Sequence, residues 1–183
     1  MTVATQQSDA SEQLDWFRLT NDFHDRGTGE IRDRSEKVVW HHREPSDQGT
    51  LVTKFLPSWA TSFFRRPDFV LLNDAEEEEL RISQVKRFPR RRFVVTARGL
   101  VVGEIEERAI VSDSYVAHFA DGRRWTISRP LYSARILVVS DEGTRIRMEM
   151  QSHNNWFIHR GDAQDNVQII ATLAFVQSEH CRW

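Results

Sequence analysis

Val167-Gln168-Ile169-Ile170-Ala171-Thr172-Leu173-Ala174-Phe175-Val176 is the stretch on which the fold turns. Eight of these ten residues are apolar, and only Gln168 and Thr172 interrupt the run. Asp162 and Asp165 precede it as candidate N-caps. A helix here would be hydrophobic nearly all round, so it must be surrounded by protein, inserted into a membrane, or sealed against a partner. So short an apolar run also suits a buried β-strand, because periodicity does not separate the two. No segment of the 183-residue chain reaches the ~20 consecutive apolar residues that a spanning helix needs.

Upstream, the chain is a succession of short apolar runs separated by turn residues. Ile146, Met148 and Met150 alternate with Arg145, Arg147 and Glu149, and Leu51, Thr53 and Phe55 alternate with Val52 and Lys54. That period of two belongs to a strand with one buried face. Further strands are expected over 38–42, 68–73, 79–84, 92–97, 100–106, 114–119, 123–128, 135–140 and 155–159. Arg98-Gly99, Asp121-Gly122 and Glu142-Gly143 each separate two such runs, and glycine supplies the positive φ that tight hairpins require. The chain is too short for several four-stranded propeller blades, and the turn motif does not recur cleanly upstream. An antiparallel meander closing into a barrel fits better, since closure removes exposed strand edges. The apolar C-terminal segment then finds its surroundings in the barrel interior.

Composition agrees with a single soluble domain spanning 14–183. The chain is 39% hydrophobic, 28% charged and 10% aromatic, with a formal net charge of −2. These values exclude disordered, collagen-like and multi-span membrane classes, and the charge argues against a general nucleic-acid binder. Cys181 is the only cysteine, so no internal disulfide framework exists and a cytoplasmic setting is the natural reading. Residues 1–13 lack the basic and apolar regions of a secretory signal and read as a flexible tail.

The order Arg92-Phe93-Val94-Val95, Gly99, Val102-Gly103-Glu104-Ile105, then Tyr115 through Asp121-Gly122 to Trp125, the Gly143 hairpin and a terminal apolar helix resembles the tubby C-terminal-like superfamily. More narrowly, it resembles the branch holding phospholipid scramblases and LURP-one-related proteins. The resemblance covers Leu51 to Trp183 and implies a barrel of about twelve strands around a buried hydrophobic C-terminal helix. It also implies binding of phosphoinositide headgroups. The chain departs from scramblases in having no proline in its tail and no cysteine cluster for palmitoylation. Asp162 and Asp165 make a poor calcium loop, because calcium takes six to eight oxygen ligands.

Lys86, Arg87, Arg90, Arg91 and Arg92 form a basic segment broken only by Phe88-Pro89. Guanidinium forks match phosphate geometry, so the segment is a candidate for anionic phospholipid, with the Arg90–Arg92 trio expected to be dispensable for folding. The alternative reading sets Glu76-Glu77-Glu78-Glu79 opposite it in a hairpin, the two runs neutralising each other as solvated surface. Arg65 and Arg66, beside Trp59, Phe63 and Phe64, suit a membrane interface or a short helix closing one barrel end.

No motif signals catalysis. There is no GxSxG elbow, HExxH, phosphate-cradling glycine loop or dinucleotide fingerprint. His41 and His42 are adjacent in a strand and therefore face opposite ways, and His153 and His159 lack zinc spacing. His180-Cys181 lies at the chain end, and carboxylates that meet only in the fold, such as Asp113 with Asp121, could form a dyad. Trp125 and Trp156 read as core or barrel wall. The expectation is therefore a non-enzymatic domain without metal or cofactor, binding an anionic membrane lipid at a membrane periphery. A ligand-free scaffold for a protein partner is the alternative.

Overall fold

A computed structural model of the chain describes residues 16–21, 28–43, 68–86, 89–109, 114–129, 135–143, 145–152, 155–160 and 167–180. Twelve antiparallel strands close into one barrel: β1 (Trp16–Asn21), β2 (Thr28–Arg32), β3 (Val38–Arg43), β4 (Asp68–Leu72), β5 (Glu78–Lys86), β6 (Arg92–Ala97), β7 (Leu100–Ala109), β8 (Ser114–Phe119), β9 (Arg124–Ser128), β10 (Arg135–Ser140), β11 (Arg145–Ser152) and β12 (Asn155–Arg160). Each strand pairs with its sequence neighbours, and β1 pairs with β12 to shut the ring, Leu19 standing opposite Trp156. The N-terminal region therefore completes the barrel. The sequence pattern places ten of these strands within a few residues; β1 and β2 are additions, and the segment 51–55 lies outside the described residues.

The five tight hairpins joining β2–β3, β4–β5, β6–β7, β8–β9 and β10–β11 share one end of the barrel. Glycine takes positive φ in three of them, at Gly99 (78°), Gly122 (87°) and Gly143 (87°). In the other two a glutamate does so, Glu36 at 64° and Glu76 at 60°. Those two turns are held by one side chain each. The Asp33 carboxylate accepts from the Ser35 and Lys37 amides, and the Asn73 carbonyl oxygen accepts from the Ala75 and Glu77 amides. An Asx residue at this position fixes the turn well enough for a non-glycine to follow in the left-handed region.

Inward positions are apolar and merge with the helix α1 (Val167–His180) into one core. Residues 169–176 of α1 are all buried, on every side of the helix. At about 1.5 Å per residue its 14 residues run roughly 21 Å, comparable to the length of the five- and six-residue strands that make up most of the wall. Phe175 sets its ring edge-on against Phe93 of β6, with centroids 4.8 Å apart, and against Phe69 of β4 at 6.1 Å. Phe69 and Phe93 lie near the starts of β4 and β6, at the end opposite the tight hairpins, so the C-terminal part of α1 lies toward that end. The outer wall carries Arg81, Arg92, Glu104, Arg135, Arg147 and Glu149. Such a wall cannot face hydrocarbon, the reverse of a transmembrane barrel with its apolar exterior. No described helix is long and apolar enough to cross a membrane.

Candidate anion-binding site

β5 is nine residues long, and its two ends have opposite chemistry. Glu78 and Glu79 open it at the hairpin end, and Lys86 closes it at the other, ~26 Å away at 3.3 Å per residue. The glutamate run therefore does not face the basic segment. Its members have other partners: Glu77 accepts from Asn73, Glu78 from Arg81, and Glu79 from the Trp40 indole at 2.7 Å. Arg81 holds the Glu78 carboxyl below its ordinary range.

The basic residues divide by partner. Arg91 turns inward at the barrel rim, where its Nη2 donates to Glu107 Oε1 and to the Tyr115 hydroxyl, both at 2.9 Å. Its Nε and its backbone amide donate to Glu107 Oε2, each at 3.2 Å. The guanidinium carbon also stands 6.0 Å from the ring centres of Phe93 and Tyr115. These contacts tie Arg91, beside the start of β6, to Glu107 of β7 and Tyr115 of β8, partners that the sequence reading did not foresee. Arg92 lies on the outer wall and pairs with Glu104, which pushes the guanidinium pKa further up.

Lys86 and Arg90 are exposed and have no ion-pair partner among the described residues. Arg108 joins them. It is exposed near the end of β7, where a register shift separates Glu107 from Ala109, and the amide of Glu107 bonds the Arg91 carbonyl alongside. Sequence reading missed Arg108 because it sits outside the basic run, and only pairing of β6 with β7 brings it there. Acidic neighbours at this end are Glu106, opposite Arg92 in the register, and Glu107, which precedes Arg108 and is paired with Arg91. Val85 is 59% exposed beside Lys86, at the register shift between Gln84 and Lys86. Arg87, Arg65 and Arg66 lie outside the described residues, as do Trp59, Asp113, Asp162, Asp165 and Cys181.

Other candidates separate. Asp121 sits in the β8–β9 hairpin, its carboxyl held below the ordinary range by Arg123. His42 is buried inside the barrel while His41 is on the outer face, as their adjacency required. Trp125 and Trp156 are core residues. Among the described residues, no three histidine, cysteine or acidic side chains gather as a metal site. Neither a family model, a curated protein nor a solved structure matches the chain.

Proposed function

We propose that this chain is a non-enzymatic, tubby-like module that rests on anionic membrane lipid through the barrel end carrying Lys86, Arg90 and Arg108. One observation supports this reading above the others: the glutamate run lies at the far end of β5 and so does not neutralise the cations at this end. Val85 adds an apolar side chain beside the charges, the mixture that suits a bilayer interface. Phosphoinositide headgroups, with clustered phosphates, are the favoured class. The setting is the cytoplasmic membrane periphery, where anionic lipid lies.

A near-surface basic residue contributes about 1 kcal/mol, so three supply roughly 3 kcal/mol, or about a hundredfold in partitioning. Cosedimentation with vesicles containing phosphatidylserine and a phosphoinositide tests this. Replacing Lys86, Arg90 and Arg108 together by Gln should cut binding about a hundredfold and leave the unfolding midpoint unchanged. Equal binding of the triple variant, or equal binding to neutral vesicles, would refute it.

A protein-interaction scaffold is the second reading. It is favoured by Leu100 and Val101, 72% and 61% exposed at the β6–β7 hairpin on the opposite end. Absence of vesicle binding, with self-association or partner binding lost in Leu100→Ser/Val101→Ser, would select it.

A further inference from the structure

We propose that the seam between β3 and β4 is an acid-operated latch, with His42 as the group whose protonation opens the barrel there. Among the described residues, β3 pairs with β4 through His41 to Leu72, His42 to Leu71 and Arg43 to Val70. His42 stands at the middle of these three pairs and points into the lumen, 2% exposed.

Neither ring nitrogen of His42 has a hydrogen-bond partner. The ring stacks across the seam on Phe69, with centroids 5.4 Å apart and planes inclined by 19°. On the other side it presses on Gly29, where an added Cβ would lie 2.3 Å from Nε2 and 2.2 Å from the Thr20 carbonyl oxygen. Among the described residues, the groups that meet the imidazole are uncharged. β1 offers the Thr20 carbonyl, β2 offers Gly29, β4 offers Phe69 and Leu71, and α1 reaches the stack through Phe175 against Phe69. The nearest ionisable neighbours point outward: His41 and Arg43 on β3, Glu30 on β2 and Asp68 on β4.

A proton on His42 thus puts an unpaired cation into an apolar stack that bridges β3 and β4, and parting the two strands there brings the ring to water. The neutral ring is favoured while the seam is shut. Burial lowers the His42 pKa from 6.5 to about 4, whereas an opened strand restores the ordinary value. The open fraction therefore rises as pH falls through 6.5 and levels off below about 4, and between pH 7.5 and 5 it rises about 30-fold. Opening would uncover Phe69, Leu71 and, behind them, Phe175 of α1.

Hydrogen–deuterium exchange of the full chain at pH 7.5 and 5, corrected for intrinsic exchange, reads this directly. Amides of β3 and β4 should lose about 30-fold in protection, β6 and β7 should not, and His42→Leu should abolish the difference. Unchanged protection at pH 5, a uniform loss over the whole barrel, or a pH effect persisting in His42→Leu would each overturn the proposal. If His42→Leu fails to fold, the wild-type imidazole resonances decide: titration well below pH 5 upholds the latch, and titration between 6 and 7 overturns it.

Discussion

Truncating Phe175 to alanine should cost this protein a large share of its stability. The side chain is 1% exposed, near the centre of the core, with its ring edge-on to two others 4.8 and 6.1 Å away. Burial of a phenylalanine, with the cavity its removal leaves, is worth about 3–5 kcal/mol, and lost ring pairs place Phe175→Ala toward the upper end. A barrel wall of twelve hydrogen-bonded strands cannot collapse onto the gap, which again favours the upper end. Against a total stability of ~5–15 kcal/mol, about 4 kcal/mol should lower the urea midpoint by roughly 2 M at a slope near 2 kcal/mol/M. Equilibrium unfolding followed by tryptophan fluorescence measures this. A shift below ~0.5 M at unchanged slope would mean that the ring does not pack inside the barrel, and the reasoning would fail.

Gly29→Ala should destabilise by about 1–3 kcal/mol in thermal unfolding, since the new methyl overlaps the Thr20 carbonyl and His42, and the loss should shrink in a His42→Ala background. Glu76→Gly should raise stability by about 1 kcal/mol by relieving a φ of 60° in an exposed turn, read as a rise in melting temperature. Arg91→Gln should lower stability by about 1.5–3 kcal/mol through the loss of charge-assisted bonds to Glu107, which Lys86→Gln should not do in the same urea titration. His42 favours its neutral form in the fold, so its contribution is complete above pH 6.5, is lost as pH falls from there to about 4 and changes no further below that, roughly 3 kcal/mol in all; acid unfolding of wild type against His42→Leu checks the sign and the size.

The terminal helix and most of the wall were legible because the physics behind them is local. A run with eight apolar residues in ten leaves no polar face to solvate, and Gly99, Gly122 and Gly143 announce their hairpins by the one conformation they alone adopt cheaply. The Glu36 and Glu76 turns carry no such mark, since their backbone is held by Asp33 and Asn73 side chains that read as ordinary polar residues. β1 and β2 were missed for a related reason. Their inward positions are few, Phe17, Leu19 and Ile31, with Gly29 where a large side chain would be expected, so the alternation is faint. The basic segment was visible at once, but its division was not. Arg91 finds Glu107 and Tyr115, 16 and 24 residues away, and Arg108 arrives beside it only through strand register.

The most direct test of the account is hydrogen–deuterium exchange at pH 7.5 with and without vesicles containing phosphatidylserine and a phosphoinositide. Slowed exchange around Lys86, Arg90 and Arg108, with the hairpin amides at 73–77, 98–101 and 120–123 unchanged, is the predicted result. Slowing at the hairpin end instead, or at neither end in a chain that cosediments with the vesicles, would contradict it.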